Sequence, residues 1–330
     1  MKKKYMYKPV LFFFSLILIF SPALSSCVTQ GAAQAEEYFS IGMAFFDLGR
    51  FAEAEQWLNR ARSADRTMVA SEYNLGRIAF ETGRFEEAAR LFERILVNDP
   101  ENVMALQAAA FSRIKNGDLQ RAESHYSRVL ALVPESADDG FNHALVLYAL
   151  ERYDESEEVL NRYPFALDER ASSVLLLARN HKAQNKVEAI DTYARWVIIN
   201  EDAVNPQGFF EYAQVLEAAG FYARALEQYQ VAIDTVTTDT EEFNKAMAMF
   251  ERARLLLTVD PQNDEGIEGF TASISEGFDD TAAIRTLLDD QRLSSSNRAE
   301  VRRVLEDLLI RERAAREAED SEEEEEDEEE

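Results

Sequence analysis

The chain has 330 residues, a formal net charge of −27 and a single cysteine. So acidic a protein is excluded as a nucleic-acid binder, because that binding draws on clustered Lys and Arg to release counterions. One cysteine excludes an internal disulfide, and the three histidines, His125, His143 and His181, share no metal-motif spacing.

At the front, Lys2, Lys3, Lys4 and Lys8 precede an apolar run from Val10 to Phe20. The run is too short to span a bilayer and has the length of a secretory-signal core. Pro22 breaks it ahead of Leu24-Ser25-Ser26-Cys27. This resembles the lipobox of bacterial lipoproteins, with serine before the cysteine as in many spirochaete examples. The resemblance implies that residues 1–26 form a signal peptide and that Cys27, bearing diacylglycerol and an N-acyl chain, starts the mature protein. No other cofactor is expected. Each buried methylene contributes about 0.8 kcal/mol, so several acyl chains hold the protein on the membrane without a spanning helix. Loss of the leader's four lysines takes the charge from −27 to −31. Residues 27–34 form a short tether; the few residues ahead of the first helix reach about 15 Å when extended. The expected location is a bacterial cell membrane or outer membrane, facing the periplasm.

Beyond the tether the pattern repeats every 34 positions, and small residues keep the register: Ala54, Ala88 and Ala122; Gly42 and Gly76; Gly49, Gly83 and Gly117; Pro100 and Pro134. A fixed period of this size signals a solenoid of stacked helical hairpins. In one period, Glu72–Thr82 carries Tyr73, Leu75, Gly76, Ala79 and Phe80 on a helical phase, and Gly83-Arg84 breaks the run. Phe85–Val97 forms the second helical run, which Asn98-Asp99-Pro100 ends. Two antiparallel helices approach closely only where a small side chain leaves room, and leucine there overpacks at about 1–3 kcal/mol.

These residues resemble the tetratricopeptide repeat, which runs aromatic, Leu, Gly, aromatic, Ala, aromatic, Ala, Pro. The first copy carries Tyr38, Ile41, Gly42, Phe45, Ala54, Leu58 and Ala61, with Arg66 in place of proline. The second carries Leu75, Gly76, Ala88, Phe92 and Pro100; the third Ala109, Ala110, Ala122, Tyr126 and Pro134. The fourth shows Ala144, Tyr153, Ser156 and Leu160, with Glu151 replacing the turn glycine. The fifth shows Leu177, Ala178, Ala189 and Tyr193 with one residue lost from its turn. The sixth returns to type with Tyr212, Ala213, Gly220, Tyr222, Ala225, Tyr229 and Ala232. The resemblance implies an all-α, right-handed superhelical solenoid of six to seven such hairpins with a C-terminal capping helix.

Residues 35–240 thus hold six repeats. A degenerate seventh spans 241–278, with Gly266, Phe270 and Ser273 at its small, aromatic and small positions. An open solenoid needs a polar-faced lid. Residues 279–318 provide capping helices: a short one near Ala282–Leu288, then one with an apolar stripe of Val301, Val304, Leu305, Leu308 and Leu309, its start capped by Asn297 or Ser296. The acidic run in 319–330 repels itself and is expected to be disordered, a solubilising tail.

The family's first helices line a groove. Carried onto this chain, the groove positions are Phe39, Met43 and Phe46; Tyr73, Arg77 and Phe80; Gln107, Phe111, Ile114 and Lys115; Phe141, Leu145 and Tyr148; Arg179 and Lys182; Phe210, Gln214 and Glu217. The resemblance implies a peptide or partner helix anchored there by aromatics, with about half of these residues packing on neighbouring helices. The family's C-terminal carboxylate clamp is not implied, since Phe39 and Met43 stand where it places Lys and Asn. With no convergent titratable cluster, no phosphate loop and no second cysteine, catalysis is not expected. The reading is a membrane-anchored, non-catalytic scaffold for protein partners of the cell envelope. Two alternatives share the fold: an accessory to a periplasmic solute-binding or transport system, and an assembly factor for outer-membrane proteins or cell wall.

Overall fold

A computed structural model of the chain describes residues 21–200, 205–237 and 243–329, with side chains for all of these except 21–30, 168, 312 and 315–329. Of the leader expected over 1–26, residues 1–20 lie outside the described residues, as does the thiol of Cys27. Two compact units divide the chain, Met1–Pro164 and Phe165–Glu330. Among the described residues every regular element is a helix, and none is long and apolar enough to cross a membrane.

The first unit comprises four antiparallel hairpins: α1 (Ser21–Asp47) with α2 (Phe51–Ala64), α3 (Val69–Glu81) with α4 (Phe85–Asn98), α5 (Val103–Lys115) with α6 (Leu119–Leu132), and α7 (Ala137–Ala149) with α8 (Tyr153–Asn161); α9 (Pro164–Glu169) follows. Ala54, Ala88 and Ala122 occupy the same place in the second helix of successive hairpins, each fully buried. Ser156 takes that place in the fourth, where its hydroxyl donates to the Ala144 carbonyl at 2.7 Å. The glycines of the crossing points are needed for space: a Cβ on Gly76 would sit 2.7 Å from the ring of Phe92.

One turn geometry joins the two helices of each hairpin. The turn residue donates to the carbonyl three back and its successor to the carbonyl five back, as in Gly83 N to Phe80 O (3.0 Å) and Arg84 N to Ala79 O (2.8 Å). This is the Schellman closure, which requires a left-handed residue. Gly49, Gly83 and Gly117 supply it, and where glycine is missing Glu151 is forced to a φ of 60°.

In the second unit, α10 (Ala171–Ala183) pairs with α11 (Glu188–Ile199), α12 (Pro206–Ala218) with α13 (Tyr222–Asp234), and α14 (Lys245–Val259) with α15 (Asp264–Ser275). Asn185, at a φ of 54°, makes the first of these turns. Gly208 approaches Trp196 so closely that a Cβ would lie 2.5 Å from the indole. α16 (Thr281–Asp289) and α17 (Ser295–Glu329) complete the unit. Val301 and Leu305 of α17 are buried with Phe250, Phe270, Phe278 and Ile284, and Val304, Leu308 and Leu309 pack on the same core.

Three sequence expectations need correction. Residues 27–34 are helical, as part of α1, rather than an extended tether. Ala32, Ala33 and Ala35 favour this, and helix rises only about 1.5 Å per residue. The cap of α17 is Ser294, whose hydroxyl accepts from Asn297 N, while the Asn297 side chain donates to the Pro261 carbonyl at 3.0 Å. The acidic run expected to be disordered continues α17 to Glu329, glutamate being a good helix former that prolongs a helix already begun.

Candidate functional site

The predicted groove residues fall on the first helices of the hairpins, and the structure ties them together in a recurring way. The last-turn position is occupied by Phe46, Phe80, Ile114, Tyr148 and Lys182, and Phe46 and Phe80 touch neighbours along the chain in two directions. Five residues on, within the hairpin, Phe46 meets Phe51 (ring centroids 5.5 Å), Phe80 meets Phe85 (5.2 Å) and Tyr148 meets Tyr153 (5.4 Å). Ile114 and Leu119 pack on one core cluster instead.

Toward the next hairpin, the same position meets the residue three places before its own equivalent. Arg77 lies over Phe46 at 4.4 Å, and Phe111 stacks on Phe80 at 5.2 Å. Lys182 donates to Gln214 Oε1 at 2.7 Å. These contacts form rungs between consecutive first helices, with aromatic partners in the first unit and polar ones in the second. Lys115 Nζ caps the Phe80–Phe111 pair, 5.7 Å from the Phe111 ring.

Most of the groove positions are therefore half-buried. Phe39, Met43, Phe46, Tyr73 and Phe80 pack on the core of the first hairpins, and Phe210 on the core of the second unit. Phe141 is half-buried as well. Phe111 and Leu145 stay open, at 46% and 42% exposure. Several polar members bridge hairpins: Gln107 donates to both carboxylate oxygens of Asp139 at 2.9 Å, Arg179 Nε to Glu211 at 2.8 Å, and Glu217 accepts from Arg254 at 2.5 Å.

Arg113 was not singled out by the sequence reading and is the most buried charge, 2% exposed. Its guanidinium grips Glu93 with two 2.8 Å bonds and reaches Glu86 at 2.6 Å, both from the preceding hairpin. His125 joins through Glu93 at 3.2 Å. Burial pushes the Glu93 carboxyl up, but the bonds from Arg113 and His125 outweigh it and hold it below the usual carboxylate range. A signal existed: Arg113 stands 34 residues after the buried Ala79 and 34 before the buried Leu147, so a charge occupies an otherwise apolar register position.

The three histidines are buried in separate places. His143 faces Glu123 Oε1 at 3.4 Å, and His181 Nδ1 faces Thr192 Oγ1 at 3.0 Å. Burial lowers the pKa of His125 and His143 against the opposing pull of Glu93 and Glu123. Among the described residues, no group of three or more His, Cys, Asp or Glu is placed to hold a metal ion.

Repeated hairpins with small residues at their crossings, and side chains in register along the first helices, define a helical-repeat protein. Residues 45–110 and 108–173 match family models described as tetratricopeptide repeats. Over this stretch the chain therefore matches the tetratricopeptide repeat, and stacked helical repeats of this kind build extended concave surfaces. One solved structure agrees in fold and two more show weaker likeness. A tetratricopeptide repeat protein from Parabacteroides merdae ATCC 43184 shares 19% identity at a TM-score of 0.56, over 77% of this chain and 97% of that one. YrrB, described as a tetratricopeptide-repeat protein with an unusual peptide-binding site, shares 18% at 0.49, over 60% and 98%. MamA from Desulfovibrio magneticus RS-1 shares 18% at 0.47, over 51% and 94%. No curated protein matches the chain.

Proposed function

We propose that the protein is a non-catalytic scaffold, anchored by lipid on Cys27 at the periplasmic face of a bacterial membrane, that holds envelope proteins against the first helices of its first unit. The observation that carries this reading is the row Phe46, Arg77, Phe80, Phe111 and Lys115, which joins rings and cations on one face of an otherwise acidic chain. Such a surface suits a peptide or helix offering apolar side chains together with a carboxylate. The leader lysines, the short apolar core and the lone cysteine support the anchor.

Photo-crosslinking in cells tests the face. A photoreactive residue at Phe111 or at Leu145 should capture a defined protein partner, and one at Arg121, on the exposed side of α6, should not. Equal capture at all three positions would remove the face from the account. Cys27→Ser should move the protein from the membrane to the soluble fraction, and continued membrane attachment would remove the anchor.

A further inference from the structure

The second unit contains a pocket of about 370 Å³ between the end of α10, the turn that follows it, the start of α11 and the last turns of α12. Its lining combines Lys182, Lys186 and Gln214 with a small apolar floor that includes Ile190, Val215 and Ala218. Among the described residues no carboxylate lines it, although the chain carries 62 acidic residues against 35 basic ones.

The pocket has a structural origin. In the first unit, this part of a hairpin is filled by a pair of rings, Phe80 on Phe85 or Tyr148 on Tyr153. Here the corresponding residues are Lys182 and Val187, and Val187 points outward at 76% exposure. Two rings are thus replaced by one flexible amine and open space.

The charges around it favour an anion. A lysine ammonium has three donors, and the Lys182 hydrogen bond among the described residues goes to Gln214. Two carboxylates of α12 are engaged elsewhere: Glu211 with Arg179 and Tyr193, Glu217 with Arg254 and Tyr229. Burial holds Lys182 below the ordinary lysine pKa against the pull of Glu211, with Arg179 adding to the lowering, and an anion in the pocket would favour its charged form.

We propose that this pocket binds a free aliphatic carboxylic acid with its carboxylate on Lys182 and its chain against Ile190, Val215 and Ala218. The volume lies at the small end of ligand pockets, with room for a short acid such as hexanoate. This inference is independent of the partner-binding face of the first unit and of the anchor.

Calorimetric titration of the full-length protein with hexanoate, hexanol and hexylamine provides the test, with two variants. Lys182→Met removes the cation, and Ala218→Leu fills the floor from an exposed helix position; thermal melts establish that both remain folded. Hexanoate should bind saturably and at least tenfold more tightly than hexanol or hexylamine, and each variant should lose tenfold or more. Equal binding of hexanoate and hexanol, or hexanoate binding that survives Lys182→Met, would overturn the proposal. So would tighter binding of a tetrapeptide ending in a leucine carboxylate than of hexanoate, since the pocket would then be a chain-end site.

Discussion

The two units use one register differently. In the first, the last-turn position of each first helix is Phe46, Phe80, Ile114 or Tyr148, and the rungs from Phe46 and Phe80 to the next hairpin are cation on ring and ring on ring. In the first hairpin of the second, the same position is Lys182, its rung is a hydrogen bond to Gln214, and the space left by the missing rings is a pocket. The backbone turn beside it is the same in both, down to the left-handed residue, which is Gly83 in one unit and Asn185 in the other. Side-chain chemistry can therefore change along a repeat while the hairpin geometry is kept: the turn is set by backbone hydrogen bonds and the crossings by small residues, and neither depends on what the groove position carries.

The largest test of this contrast concerns buried charge. Arg113→Ala leaves Glu93 and Glu86 facing an empty place in the first unit, and should cost about 3–5 kcal/mol, the typical effect of breaking a buried pair. Arg179→Ala in the second unit removes a half-exposed partner of Glu211 and should cost about 1 kcal/mol. Urea titrations followed by circular dichroism would measure both, and equal losses would show that the Arg113 cluster is not the tie between hairpins that its burial indicates.

A smaller difference should separate the rungs. Phe80→Ala deletes a ring that touches Phe85, Phe111 and the core, and should cost about 2 kcal/mol, less than a fully buried ring. Lys182→Met should change stability by about 0.5 kcal/mol or less, because a half-buried amine gives way to an apolar chain of similar length. A large loss from Lys182→Met would mean that the polar rung holds the second unit as firmly as the aromatic one holds the first.

The smallest effect is in pH dependence, and it belongs to the first unit. His125 and His143 have folded pKa values below the ordinary 6.5, so the unfolded chain takes up protons first on acidification. Their contribution is complete above pH 6.5 and declines as the pH falls through the lowered folded values. Thermal melts between pH 7.5 and about 5 should show wild-type stability falling, and the His125→Gln/His143→Gln variant should have a flatter slope in that window. Glu93, also lowered, acts at more acid pH, below its ordinary 4.5.

Much of the fold was legible because its determinants are spaced in the sequence. Ala54, Ala88 and Ala122 announce the crossings, and Gly49, Gly83 and Gly117 announce the turns. Glu151 and Asn185 were harder to read: the register says a turn falls there, and only the backbone hydrogen bonds show that the same left-handed geometry is imposed on a residue with a Cβ. At the candidate face the sequence placed residues such as Phe80 and Phe111 on the first helices. It could not say that Phe80 is half-buried and Phe111 open, because that depends on which ring of the next hairpin covers which. Arg113 was visible as a charge in an apolar register, but its partners come from 20 and 27 residues earlier and required the packed hairpins to find. The pocket beside Lys182 was not legible, since it is a space left by neighbouring elements rather than a residue pattern.

The rungs that join α1 to α3, α3 to α5 and α10 to α12, from a last-turn position to the residue three places before its equivalent, can be broken one at a time, and a double-mutant cycle on Phe80 and Phe111 is the sharpest probe of them. Stability measured for the wild type, both single alanine variants and the double should give a coupling of about 0.5–1.5 kcal/mol, the range for a stacked aromatic pair. Strict additivity, with no coupling beyond experimental error, would contradict the rung between them.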